Sequence, residues 1–446
     1  MNLSKMFKTE DGKNYAFTFS LVSTLFLLWG VCNGMIDVMD KHFQDYLHLT
    51  KSQSAWVQFA HYLGYFIMAI PASWFARKLG YKGGIISGLL LVAVGGFWFI
   101  PATYISTFWA FLLGVCLIAM GLTVLETVAN PYTTVLGPKE FSASRINFAQ
   151  SFNGVGWIFG PIIGGMFFYS SEGAAAAQAQ LYIPYLAVAI IVLIMATIFY
   201  FSNIPDLNTE DEYNLNDSAK VSTKSSIWSH PHFVGAVLAQ FVYVAAQAGI
   251  FSFFINYVVE EMPSISQQLS SSWLFSNRST FREGSYFVNE QGATFLLGTI
   301  AFPLFLLGRA TGAALLRKFK AHKMLAAYAV ANVICCGIVM LKFGWISVAS
   351  VFLSFFFMSI MFPTIFALGI YGLGVQAKKA SGFIVMAIMG GAIMPKFMGH
   401  LGDVYNMSFG FLMPMICFAL VAAYGYLWSG LSKADGKINI SSGKGH

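Results

Sequence analysis

Two carboxylates stand inside apolar runs of this 446-residue chain. Asp37 closes the stretch Trp29-Gly30-Val31-Cys32-Asn33-Gly34-Met35-Ile36-Asp37. Glu126 lies within Leu122-Thr123-Val124-Leu125-Glu126-Thr127-Val128-Ala129-Asn130-Pro131. The other 17 of the 19 acids fall in polar segments or at the ends of apolar runs. A charge at the centre of a bilayer costs about 2.5–3.5 kcal/mol or more, so an acid retained there reads as functional. Away from water a carboxyl is more stable protonated than ionised. A group that gains and loses one proton in that setting is what proton coupling requires. An interfacial place just outside the hydrocarbon is the alternative for Asp37. Glu126 has apolar or small neighbours on both sides and no such alternative.

Arg309, in Leu307-Gly308-Arg309-Ala310, is the basic counterpart, eight residues before Arg317. At 1.5 Å per residue it lies about 12 Å up a helix from the basic cluster there. It either snorkels to the inner interface or faces a cavity as the charge partner of an acid. Asn33, Asn130, Gln150, Asn153, Gln240, Tyr243, Gln247 and Asn256 add polar groups within or near the same runs. Gln240, Tyr243 and Gln247 are three and four residues apart, which places them on one helix face. Amides with aromatic faces suit a sugar, whose hydroxyls take hydrogen bonds while its C–H face stacks on a ring. Interhelical polar glue of about 0.6 kcal/mol per bond is the competing use. His61, the only histidine well inside a run, reads first as a buried neutral ring. No nucleophile–base pair, HExxH motif, phosphate loop or EF-hand loop is present, so no catalytic residue, metal site or cofactor is expected. Cys32, Cys116, Cys335, Cys336 and Cys417 all lie in apolar runs without a CxxC pair and read as small hydrophobes.

The elements that hold these residues follow from composition. Hydrophobic residues make up 57% of the chain, charged residues only 10%, and Phe occurs 44 times. Too few charges remain to cover a soluble surface, which excludes a soluble enzyme, a disordered chain and a nucleic-acid binder. The net charge of +7 is carried by short basic clusters between apolar runs, which orient a membrane protein rather than build a phosphate-binding face. The first apolar run, from about Ala16, is too long for a cleaved signal.

A span needs about 20 apolar residues, and the chain offers twelve: 16–39, 54–76, 83–101, 108–136, 146–169, 183–201, 233–258, 293–316, 324–341, 346–373, 381–400 and 409–428. With the N-terminus inside, only Lys41, Lys51, Arg278, Arg282, Lys342 and Lys396 of the 26 basic residues fall outside. That asymmetry places both termini in the cytoplasm. The polar stretch Asn203–His230 divides the spans six and six. The expected layout is therefore residues 1–203 as one six-helix bundle, 204–231 as a cytoplasmic linker and 232–446 as a second bundle. The second bundle carries a long outer segment at 260–291, read as a tolerated insertion rather than a lid. The halves echo each other as transporter repeats do. Arg77-Lys78 answers Arg317-Lys318, Asn130-Pro131 answers Phe362-Pro363, and Gly164-Gly165 answers Gly390-Gly391.

Specific strings now carry a resemblance. They are Leu125-Glu126-Thr127-Val128-Ala129-Asn130-Pro131 with Val135-Leu136-Gly137-Pro138, Arg145-Ile146-Asn147-Phe148-Ala149-Gln150-Ser151-Phe152-Asn153, and Ala239-Gln240-Phe241-Val242-Tyr243. Later come Gly308-Arg309, Leu325-Ala326-Ala327-Tyr328-Ala329, Pro363-Thr364-Ile365-Phe366 and Phe383-Ile384-Val385-Met386. Through nearly every span the chain resembles the L-fucose/proton symporter family of the major facilitator superfamily. The resemblance implies an all-α membrane protein of twelve helices in two six-helix bundles. It also implies a functional pair, a first-span Asp and a fourth-span Glu, which fall on Asp37 and Glu126. Here Ile36 precedes Asp37 where the family carries Asn, His61 stands for an aromatic residue and Asn256 for Arg. These departures leave the sugar open among fucose, glucose, galactose, fructose and an amino sugar.

The expectation is a monomeric, proton-coupled importer of a monosaccharide in the inner membrane, working by alternating access and using no cofactor or nucleic acid. Its partners are the sugar, the proton and the lipid bilayer. An exporter or uniporter of the same fold is the nearest alternative, ahead of a membrane-embedded enzyme or a channel.

Overall fold

The computed structural model describes residues 6–8, 13–138, 142–168, 182–205, 226–316, 319–371, 373 and 377–434. Most of the expected linker, 206–225, and the basic pair Arg317-Lys318 lie outside the described residues. Contacts divide the chain into two units. One comprises Met1–Leu49 with Trp56–Glu210, the other Thr50–Ala55 with Asp211–His446.

Six helical passes make up the first unit. They are α1 (Ala16–Leu47), the two limbs of α3 (Trp56–Ile105), α4 (Phe108–Val135), α5 (Ser142–Phe168) and α6 (Ile183–Phe201). The limbs of α3 meet at Gly80, whose φ of 67° lets the chain turn back between two packed helices. α3 packs along α4 and α6, and α1 along α5. The α1–α5 seam is built on glycine. A Cβ on Gly34 would come within 2.9 Å of Pro161, and one on Gly160 within 2.6 Å of the Val31 carbonyl oxygen. Gly30 and Gly156 meet the partner backbone more closely still. Gly30-x-x-x-Gly34 thus faces Gly156-x-x-x-Gly160, the small-residue spacing that lets membrane helices approach. Sequence reading ended the first span at Met39, but α1 runs eight residues further.

Between α1 and α3 lies the short helix α2 (Lys51–Ser54), which belongs by its contacts to the second unit. Its Lys51 and Ser52 N–H groups each donate 2.9 Å bonds to Asp403, and the Lys51 ammonium pairs with Glu260 at 3.1 Å.

The second unit continues with α7 (Pro231–Glu261), α8 (Gln267–Ser270), β1 (Ser279–Arg282), β2 (Ser285–Val288), α9 (Glu290–Leu296) and α10 (Phe302–Leu315). Then come α11 (Ala321–Met340), α12 (Trp345–Met358), α13 (Met361–Ile370), α14 (Ala377–Met386), α15 (Gly390–Val404), α16 (Met407–Gly410) and α17 (Leu412–Ala434). A π-helical turn, Leu297–Ala301, joins α9 to α10, so the pair forms one pass. α12 with α13, α14 with α15 and α16 with α17 form three more, which gives six passes here as well. The segment read as an insertion is built rather than loose. β1 and β2 form an antiparallel hairpin turning at Glu283 and Gly284, whose φ values of 50° and 75° suit a two-residue hairpin turn. Ile265 N–H bonds Tyr286 O at 2.8 Å, and the Arg278 guanidinium lies 4.0 Å from the centre of the Phe295 ring.

The two prolines that answered each other in sequence act differently. α4 continues through residue 131, whereas the tenth pass breaks between Met358 and Met361, just before Pro363. Ten helices among the described residues are long and apolar enough to cross a membrane on their own. The remaining two passes, 56–79 and α5, carry more polar residues along their length. Outward faces are apolar, with Phe17, Ile70, Trp109, Tyr200, Leu238 and Leu427 all exposed, as lipid contact requires.

Candidate functional site

In the first unit, α1 presents Trp29, Asn33, Asp37 and Asp40 at spacings of four, four and three, which form one stripe. The first limb of α3 runs back alongside with Gln58, His61 and Tyr65 at spacings of three and four. Contacts between the stripes follow an antiparallel register. Trp29 Nε1 donates to the Tyr65 hydroxyl at 2.8 Å, and the Asn33 side chain lies beside the same hydroxyl. Further along, Gln58 Nε2 donates to Asp37 Oδ1 at 3.0 Å and to Asp40 Oδ2 at 3.1 Å. Asp37 is 4% exposed and Asp40 0%. Asp37 is therefore packed inside the first unit, and α1 continues ten residues beyond it. Asp40, assigned in sequence to a span end, is buried for the same reason.

His61 fits its reading as a buried ring. It is 6% exposed, lies 5.0 Å from the Tyr65 ring, and its Nδ1 has no hydrogen-bond partner among the described residues. Tyr65 also brings the fourth pass into the set, because its hydroxyl interacts electrostatically with Glu126 on α4. Glu126 is half-buried. One turn on, Asn130 Oδ1 accepts a 3.0 Å bond from Gln150 Nε2 of α5, so those two amides satisfy each other. Asn153 donates to the Phe26 carbonyl at 3.3 Å and fastens α5 to α1. Asn33 Oδ1 and Asp37 Oδ2 are buried with no hydrogen-bond partner among the described residues. Such groups are costly unless a ligand, proton or water meets them.

In the second unit, Gln240, Tyr243 and Gln247 share a face of α7, with different fates. Gln240 is fully buried, and neither amide atom has a hydrogen-bond partner among the described residues. The Tyr243 hydroxyl donates to Met358 O at 3.0 Å. Gln247 is half-buried. Arg309 meets a backbone carbonyl and an aromatic ring. Its Nε donates to Ser359 O at 3.4 Å, and its guanidinium sits 5.1 Å from the Phe305 ring centre. Gly308 permits this, since a Cβ there would lie 2.6 Å from Ser359 Oγ. Tyr243 and Arg309 thus serve the carbonyls freed where the tenth pass breaks, groups that lipid could not satisfy. Asn256, 1% exposed, lies further along α7 and reaches Glu260 at 3.5 Å.

Sequence reading missed Trp29, Asp40, Gln58 and Tyr65 as members of the set. The signal for the α3 residues was their three-and-four spacing opposite Asp37. For Asp40 the signal was its spacing of three from Asp37. The five cysteines are unbonded, with Cys32, Cys335, Cys336 and Cys417 buried. No cluster of metal-ligating side chains occurs among the described residues.

Twelve passes in two units of six, with buried polar stripes behind apolar outer faces, define a multi-pass membrane transport protein. The chain belongs to the major facilitator superfamily, whose profile matches residues 17–395. It is 36% identical over 430 residues to the L-fucose-proton symporter of Escherichia coli (strain K12), covering 92% of this chain and 93% of that one. It is 33% identical to the glucose/galactose transporter of Brucella abortus, covering 95% and 96%. The crystal structure of the superfamily transporter FucP in the outward conformation matches with a TM-score of 0.64 at 36% identity, over 93% of this chain and 99% of that one. A D-xylose-proton symporter matches with a TM-score of 0.71 at 12% identity, over 93% and 98%, which is a likeness of fold.

Proposed function

We propose that this chain is a proton-coupled symporter that imports a monosaccharide, L-fucose or a related hexose, by alternating access. The observation that carries the reading is Asp37, a carboxyl 4% exposed in the first pass and held by Gln58. Support comes from relatives named as an L-fucose-proton symporter and as glucose/galactose transporters. In this reading Asp37 takes the coupling proton. Glu126 binds sugar hydroxyls and links that binding to its own protonation, which is reciprocal by thermodynamic linkage. Asn33, Asn130, Gln150, Asn153, Gln240, Tyr243 and Gln247 supply the polar surface, and Arg309 is the accompanying charge. An ionised carboxylate in a dry cavity is unfavourable, so protonation favours the occluded, sugar-loaded state.

The protein changes no covalent bond of its substrate and acts as a monomer. It sits in the inner membrane with both termini cytoplasmic, organised as residues 1–203, a linker at 204–231, and residues 232–446. Uptake of labelled L-fucose, D-galactose and D-glucose into proteoliposomes tests the reading. An inward proton gradient should drive accumulation of at least one sugar, and a protonophore should abolish it. Accumulation of none, or accumulation indifferent to the protonophore, would overturn the assignment.

A further inference from the structure

Asp40 is not accounted for by the function proposed above. It lies one turn beyond Asp37 on α1 and is fully buried. Both carboxyls take a hydrogen bond from the same nitrogen, Gln58 Nε2, at 3.0 and 3.1 Å. An amide nitrogen carries two hydrogens, and here each is committed to one aspartate. Oxygens that touch one nitrogen at these distances lie no more than about 6 Å apart, within the range where like charges disfavour simultaneous ionisation. Asp37 Oδ2 has no other partner among the described residues, so a proton can sit there without displacing Gln58.

Several titratable groups surround the pair. Lys41 and His42 follow on α1, and Lys41 is paired with Asp45 at 2.6 Å. His61 and Tyr65 come from α3, and Glu126 from α4 reaches the set through Tyr65. Tyr185 from α6 interacts electrostatically with Asp40. α5 packs on α1 with Gly160 and Pro161 beside Gly34, and from there to Phe168 it carries no titratable side chain. Among these neighbours, Asp40 is the one joined to Asp37 through a shared donor.

We propose that Asp40 is a positioning residue of the proton site, coupled to Asp37 through Gln58, so that the two carboxyls hold and release the coupling proton as a pair. The inference deepens the symporter reading and rests on it. Interacting carboxyls titrate in macroscopic steps that belong to the pair. While Asp40 is charged, Asp37 keeps its proton to a higher pH. Asp40→Asn removes that neighbouring charge and leaves the amide bond geometry available, so the proton leaves Asp37 at lower pH. Sugar exchange, which needs the protonated carrier, then fails earlier as pH rises.

The test is the pH profile of sugar exchange between equal pools in proteoliposomes, for the wild type, Asp40→Asn and Asp40→Glu. The profile of sugar-induced thermal stabilisation in detergent is measured alongside. Asp40→Asn should match the wild type at the acid end and lose half its exchange at a pH lower by about one unit, the size expected of a removed close like charge. Asp40→Glu should restore the wild-type midpoint. An unchanged or alkaline-shifted midpoint overturns the proposal. So does loss of both exchange and sugar-induced stabilisation at every pH, which assigns Asp40 a purely structural role. Failure of the symporter reading is seen separately, as wild-type protein that does not accumulate sugar on a proton gradient.

Discussion

The Trp29 indole donates a 2.8 Å hydrogen bond to the Tyr65 hydroxyl, tying α1 to the first limb of α3. That hydroxyl also lies beside Asn33 and interacts electrostatically with Glu126. Tyr65→Phe keeps the ring and removes the oxygen. The Trp29 donor is then left without its acceptor, at about 1–3 kcal/mol. Sugar affinity should fall roughly tenfold through the loss of order around Glu126, measured by calorimetric titration. Unchanged affinity would confine Tyr65 to a structural role.

Arg309 and Arg317 separate function from topology. Arg309 sits against Ser359 O and Phe305, whereas Arg317, outside the described residues, has Lys318, Lys320 and Lys323 beside it to set orientation. At matched expression, Arg309→Ala should cut initial uptake roughly tenfold, as expected for a charged hydrogen bond lost at a broken helix. Arg317→Ala should stay near normal. Equal, near-normal uptake by both would contradict the assignment.

Arg145 was expected to be one of many inner basic residues. It is fully buried and donates to the carbonyls of Thr133, Met6, Pro138 and Gly137. Arg145→Ala should lower stability by about 2–4 kcal/mol, since charged hydrogen bonds contribute about 1.5–3 kcal/mol each and are not additive. Arg145→Lys should recover only part, because an ammonium cannot reproduce the guanidinium fork. Thermal unfolding in detergent measures both, and wild-type stability of Arg145→Ala would contradict this role.

Orientation can be tested on the two segments that differ most in charge. Single cysteines placed in 204–231 and in 260–291 of a cysteine-free variant should react differently with an impermeant reagent in intact cells. Only the second should label. Labelling of the first would overturn the topology.

The class of fold was legible because hydrocarbon imposes length and composition on every span. Asp37 and Glu126 stood out because isolated acids in apolar runs are rare. Helix ends were less legible. His42, Lys41 and Asp40 look like a polar boundary in one dimension, yet α1 buries Asp40 and His42 and continues to Leu47. The Gln58 bridge depends on two antiparallel stripes in register, a tertiary relation that spacing on α3 hints at but cannot fix. Arg309 was undecidable for a similar reason. Its partner is a backbone carbonyl exposed by a helix break, and backbone groups leave no mark in side-chain patterning.

The central claim is a division of labour between Asp37 and Glu126. Asp37→Asn imitates a permanently protonated carrier, whereas Glu126→Gln replaces one acceptor oxygen by an NH2 donor and removes the linkage to pH. The most direct test compares, in proteoliposomes, sugar accumulation driven by a proton gradient with sugar exchange between equal pools. For Asp37→Asn the account predicts loss of accumulation with exchange retained. For Glu126→Gln it predicts that both weaken and that the pH dependence of exchange flattens. Accumulation of sugar on a pH gradient by Asp37→Asn would contradict it.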